Sequence, residues 1–244
     1  MRVILVRHYR TVNNETRRIM GWGDAPRAED WEADLLHVDE LIRNREFRFD
    51  AFYSSALGRA RETTRYFARK RGCSTVHAAP ELNEVNYGEL FQRSKRWVAE
   101  NYPGYKTDPD FVFPEGESFH QMQRRSVEFL LSLQRMHSTD TLLMVAHAGV
   151  IRGLVSHFLD LDFSSNLKRK VSHRYVGEFC IENDACVFYD EPGKHSGFVK
   201  DSIIEVPWRR QSPTMERAVE STRFKRETNR QTLLPAIIAG FESS

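Results

Sequence analysis

Cysteine is scarce in this chain of 244 residues: Cys73, Cys180 and Cys186 form an odd set without metal-ligand spacing. That excludes a disulfide framework or a cysteine-based zinc site as the source of stability, and it points to a reducing, cytoplasmic setting. Long apolar runs are missing too. The stretch Leu233 to Phe241 is broken by Pro235 and Gly240 and falls short of the roughly 20 residues that span a bilayer, so no membrane partner is expected. The opening run Val3-Ile4-Leu5-Val6 is shorter than a signal-peptide core and ends at Arg7-His8, so no targeting segment is expected there. No charge sign dominates: 36 Lys and Arg against 34 Asp and Glu leave +2, too weak a field to predict nucleic acid as a partner. No internal repeat is present, which excludes solenoids and arrays.

What is there is a repeated grammar of buried strand, polar strand end and helix. Val3 to Val6 is a continuous apolar run suited to a central strand covered on both faces, and His8 follows its C-terminal end. Ala51-Phe52-Tyr53 leads into Ser54-Ser55 and a helical stretch from Leu57 to Arg71, with Arg59 in its first turn. Leu142 to Val145 leads into His147-Ala148-Gly149 and an apolar helix from Val150 to Leu159. The alternation predicts an α/β fold, a mostly parallel sheet with helices on both faces, whose ligands gather outside the carboxyl ends of the strands. Weaker signals predict a strand at Thr75 to Ala78, a helix at Ser118 to His137 and a hairpin from Glu178 to Asp190 turning at Asn183-Asp184. We expect one domain over residues 1–206, with an aromatic, proline-containing lid insertion around 93–117, and a basic C-terminal extension over 207–244.

The polar strand ends carry a coherent chemistry. A phosphoryl group in transfer spreads charge over its equatorial oxygens, and the planar fork of arginine matches it, a task open to Arg7 and Arg59. A neutral imidazole is a competent nucleophile near pH 7, so His8 needs mainly orientation, by an acceptor on one ring nitrogen that the sequence does not name. Backbone amides at His147-Ala148-Gly149 open a helix toward an anion. A departing alcohol needs a proton, and the turn-rich loop Glu81 to Gly88 offers Glu84 as general acid, with Glu81 and Glu89 as rivals.

Arg7-His8 after the first strand, Ser54-Ser55 through Arg59-Ala60-Arg61-Glu62-Thr63, Leu82 to Gly88, and Val145 through Arg152 together resemble the histidine phosphatase superfamily, in its phosphoglycerate mutase-like branch, over roughly residues 2–190. Thr11, Asn14, Arg18 before Gly21-Trp22, and Gly116-Glu117-Ser118 at a helix start extend the resemblance. It implies a phosphate pocket of Arg7, His8, Arg59 and His147, with Glu84 as proton donor, Asn14, Arg18 and Ala148 as substrate contacts, and neither metal nor organic cofactor. The expected activity is hydrolysis of small phosphorylated metabolites through a phosphohistidine on His8. Tyr87 and Lys95 suggest a phosphoglycerate mutase-like phosphotransferase as the alternative, although the paired arginines and longer insertion of those mutases are missing.

The chain also departs from the family pattern. Tyr9 stands where the signature has glycine directly after the histidine, Arg10 where an acidic or polar residue is usual, and Phe91-Gln92 where Glu-Gly often follows the acid loop. Tyr9 is expected either to shift the loop or to project its ring near the pocket mouth, which opens a third reading: a phosphate-binding scaffold whose turnover Tyr9 obstructs.

Overall fold

The computed structural model describes residues 1–193 and the backbone of one further strand, Ile203–Glu205. The basic extension over 207–244 lies outside the described residues. In chain order the regular elements are β1 (Arg2–Arg7), α1 (Val12–Glu15), α2 (Trp31–Asn44), β2 (Ala51–Ser55), α3 (Gly58–Arg69), β3 (His77–Ala79), α4 (Lys95–Asn101), α5 (Phe119–Met136), β4 (Thr141–Ala146), α6 (Ala148–Phe158), α7 (Phe163–Asn166), β5 (Val176–Glu182), β6 (Ala185–Asp190) and β7 (Ile203–Glu205).

The strands form one mixed sheet in the order β3-β2-β4-β1-β5-β6-β7. β3, β2, β4 and β1 are mutually parallel, while β5, β6 and β7 add antiparallel pairs on the far side of β1. The β5–β6 turn falls at Asn183-Asp184 as expected, both at positive φ (47° and 61°), the geometry of a type I′ hairpin.

The side-chain alternation of the central strands builds two cores. Val3, Leu5, Leu142 and Met144 face α5 and α6, packing on Met122, Leu130, Val150 and Leu154. Ile4, Val6, Leu143 and Val145 face α2 and α3, packing on Leu35, Val38, Ile42 and Phe67. Every apolar position of β1 is thus buried, which is why that strand reads as an unbroken hydrophobic run.

Two elements depart from the sequence reading. The strand expected at Thr75 to Ala78 is the short edge strand His77–Ala79, which among the described residues pairs only with Tyr53–Ser55 of β2. Helix α2 was not anticipated, because buried acids interrupt its apolar stripe. Asp34 is matched by Arg174 (2.9 Å) and Arg10 (3.4 Å), and Asp39 by Arg71 (3.0 Å) and Arg43 (3.5 Å), cations distant in sequence except Arg43. The segment expected as a lid holds α4, capped by Ser94 Oγ accepting from the Trp97 N–H, and a 3-10 turn at Pro103–Lys106; it buries Val98, Tyr105 and Phe113.

Candidate active site

β4 lies between β1 and β2, so the residue after β1, the last residue of β2 and the residue after β4 finish side by side. These are His8, Ser55 and His147, all buried. The His8 N–H donates to the Ala146 carbonyl (3.1 Å), extending the β1–β4 ladder by one residue. The two imidazole centroids are 4.9 Å apart, and His147 Nε2 is 2.8 Å from Ser55 Oγ.

The acceptor that the sequence left unnamed is the next carbonyl along the chain. His8 Nδ1 sits 2.5 Å from the Tyr9 oxygen, and a carbonyl only accepts, so Nδ1 carries the hydrogen and Nε2 keeps the lone pair. On the other side His173, from the loop before β5, contacts the His8 carbonyl through Nδ1 (2.9 Å), its ring 5.4 Å from that of His8. Nothing in the sequence signalled His173, because only tertiary folding brings its loop beside His8.

The two arginines are tethered by backbone carbonyls, and Arg59 also lies 3.5 Å from Asp24. Arg59 forks onto the Gly21 and Gly23 carbonyls (2.7 and 2.8 Å), and Arg7 donates to the Val171 carbonyl. In each, the buried Nε has no partner among the described residues. Burial pushes Arg7 down to about 9, with Arg152 the next cause, and burial pushes Arg59 down to about 10. Burial first, then Arg59 and other cationic neighbours, holds His8 and His147 well below the ordinary histidine value. Desolvated cations crowded beside neutral imidazoles are the electrostatic condition that a bound anion relieves.

Of the three rival acids, Glu84 is held toward this group. Its carbonyl accepts from Trp22 Nε1 (2.6 Å) and Arg125 (3.1 Å), and its carboxylate from the Val85 and Gly149 N–H groups (3.1 and 3.2 Å). Its charge bears on Arg7, Arg59, Arg152 and Lys95. Glu81 contributes its carbonyl to Arg125 and Ser126, and Glu89 lies exposed in a 3-10 turn. Arg125 also pairs with Glu117 (2.6 Å), whose carboxylate takes the Asn86 N–H, so one guanidinium clamps the whole acid loop.

The remaining expected contacts are placed less centrally. Ala148 opens α6 beside His147, and Asn14 uses its amide oxygen to accept from the Thr11 N–H (3.1 Å). Arg18 is exposed and donates to the Gln92 carbonyl (2.8 Å). Lys95 does enter the electrostatic cluster: burial, then Arg7, pushes it down to about 8.

The expectation for Tyr9 is corrected. Its ring is not projected outward but is buried in the α2–α3 core, 5.3 Å from Trp31 and 6.4 Å edge-on from the His8 ring, with its hydroxyl donating to Glu62 (2.7 Å). Its backbone is not among the positive-φ residues, so the glycine of the family signature is not required here for conformational freedom.

This mixed sheet, with paired histidines at the carboxyl ends of its parallel strands, has the phosphoglycerate mutase-like architecture. Residues 3–189 match the family model of the histidine phosphatase superfamily (branch 1), and the chain belongs to that family. It is 32% identical over 211 residues to a probable phosphoglycerate mutase GpmB of Erwinia tasmaniensis, covering 84% of this chain and 94% of that one. It is 32% identical over 170 residues to the adenosylcobalamin/alpha-ribazole phosphatase of Salmonella typhimurium, covering 68% and 83%. The alpha-ribazole phosphatase structure from Shigella flexneri superposes with a TM-score of 0.66 at 25% identity, covering 76% and 93%. Relatives of the family thus include phosphatases and mutase-like proteins. Among the described residues no helix is long and apolar enough to cross a membrane, and no three His, Cys, Asp or Glu side chains are grouped to hold a metal ion.

Proposed function

We propose that this chain is a metal-independent phosphomonoesterase that works through a phosphohistidine on His8 and acts on small phosphorylated metabolites in the cytoplasm. The observation that carries the reading is the orientation of His8: Nδ1 is tied to the Tyr9 carbonyl, and Nε2 keeps its lone pair beside His147. In the first step Nε2 attacks phosphorus, the ester P–O bond breaks, and the leaving oxygen takes a proton from the Glu84 carboxylic acid. In the second step water attacks the phosphohistidine, giving its proton back to the Glu84 carboxylate as the P–N bond breaks. Arg7, Arg59 and His147 hold the equatorial oxygens through both steps, with Ala148 and Asn14 bordering the site and Arg18 at its rim.

The names of the phosphatase relatives favour hydrolysis. Lys95, which feels Arg7, Arg152 and Glu84, favours a second reading in which a phosphorylated acid is held for transfer rather than release. The packing of the Tyr9 ring in the α2–α3 core favours turnover over the scaffold reading. The test is a quench of the enzyme with a radiolabelled aryl phosphate in excess chelator. An acid-labile, base-stable phosphoenzyme that forms and decays within seconds, and that His8→Ala lacks, supports hydrolysis. A phosphoenzyme stable to water for many minutes supports transfer, and absence of any phosphoenzyme with turnover intact overturns the mechanism.

A further inference from the structure

The hydrogen bonds around His147 close in only one way. The Ala56 N–H can only donate, so the Asn83 atom 2.9 Å from it is the amide oxygen, which settles the orientation of that amide. The same oxygen is 2.9 Å from Ser55 Oγ, and the serine hydroxyl is the proton source available to that contact. A serine has one proton. Once it points at Asn83, Oγ can only accept, from the Leu57 N–H (3.2 Å) and from His147 Nε2 (2.8 Å). His147 Nε2 therefore carries a hydrogen, and in the neutral ring Nδ1 is bare. That Nδ1 is buried and has no hydrogen-bond partner among the described residues.

We propose that Asn83 and Ser55 are positioning residues that lock His147 as its Nε2–H tautomer, so that Nδ1 must take up a proton from solvent when a tetrahedral oxyanion binds beside His8. This rests on the reading of the crevice as a phosphate site. A bare Nδ1 turned toward an oxyanion sets lone pair against lone pair, whereas a protonated one donates a charge-assisted hydrogen bond. The other neutral tautomer could donate without uptake, but Nε2 would then set its own lone pair against an Oγ whose proton is already engaged. Arg59, Arg7 and Arg125 oppose the charge on the free ring, so the proton arrives with the anion and leaves with it. The other titratable groups around it are His8 beside the ring, His173 beyond His8, and Glu84, whose carboxylate accepts from the Gly149 N–H.

The experiment is long-range proton–nitrogen NMR of the full chain labelled at histidine nitrogens, with His147→Gln to assign the signal and sulfate as a dianion that does not titrate near neutrality. In the free wild type at pH 7.5, His147 is expected to show protonated Nε2 and unprotonated Nδ1, and saturating sulfate is expected to move both nitrogens to imidazolium shifts. Ser55→Ala is expected to mix the tautomers and to make sulfate affinity fall less steeply between pH 7 and 8, by up to about tenfold per pH unit, the weight of one linked proton. A wild-type Nδ1–H tautomer, a bare Nδ1 in the sulfate complex, or a Ser55→Ala protein with unchanged tautomer and pH slope overturns the proposal. If Ser55→Ala does not fold, the wild-type spectra decide alone. If sulfate does not bind, the phosphate reading and the proton uptake both fall, and the free spectrum still decides the tautomer lock.

Discussion

Gly149 gives its backbone N–H to Glu84 Oε2 at 3.2 Å, and a Cβ added to Gly149 would stand 2.1 Å from Oε1 of the same carboxylate. The absence of a side chain at position 149 therefore sets where the acid can rest. Gly149→Ala is expected to move the carboxylate, because a flexible Glu terminus yields more readily than the first turn of α6. Turnover of esters with poor leaving groups should fall about 10- to 100-fold and activated aryl phosphates much less, with the melting temperature nearly unchanged. Equal losses on both substrate types would remove Glu84 from the proton-donor role.

Tyr9 gives a prediction of opposite sign to the one its sequence position suggests. With its ring in the core and its hydroxyl on Glu62, Tyr9→Gly should not raise turnover; it should cost at least about 3 kcal/mol of stability, the scale for emptying a buried aromatic site. Tyr9→Phe should cost about 1 kcal/mol and leave the rate unchanged. Denaturant titration beside aryl phosphatase kinetics checks both, and a faster Tyr9→Gly enzyme would restore the obstruction reading.

Arg59 holds two glycine carbonyls with a fork that lysine cannot reproduce. Arg59→Lys is expected to lower kcat/KM by roughly 10² to 10³, the scale for removing one preorganised donor. It should also loosen the Gly21–Gly23 turn, read as faster amide exchange there. Wild-type kinetics would take Arg59 out of the phosphate site.

The histidine cluster predicts the acid side of the stability profile. His8, His147 and His173 are each held well below the ordinary value of 6.5, burial being the largest cause. Below that value the unfolded chain binds protons that the folded one refuses, so the native state has its full stability above about 6.5 and loses it as pH falls. Each histidine contributes up to about 1.4 kcal/mol per pH unit. His173→Asn should flatten the slope measured by urea unfolding between pH 7.5 and 5.5, and an unchanged slope would mean that His173 titrates normally.

Local pattern carried much of the fold and the strand-end residues of the candidate site. β1 and β4 were legible because both faces of each are buried, α5 because Ser118 caps it, and the hairpin because Asn183-Asp184 accepts positive φ. Helix α2 was not legible, since Asp34 and Asp39 look like surface acids until Arg174 and Arg71 arrive from elsewhere in the chain.

The residue order alone determined which groups stand at the strand ends: Arg7 and His8 after one apolar run, Ser55 after a second and His147 after a third, because strand length and burial are written in local periodicity. What only the tertiary structure decided was how those groups face one another. The order β2-β4-β1 puts Ser55 against His147 and His147 beside His8; the cores on the two sheet faces decide that Tyr9 turns inward; and the loop held by Trp22 and Arg125 carries the Glu84 carboxylate to the Gly149 N–H at the start of α6. Each of these depends on contacts between residues tens of positions apart, whose energy comes from burial and hydrogen-bond satisfaction in the assembled core and leaves no periodic trace in the chain.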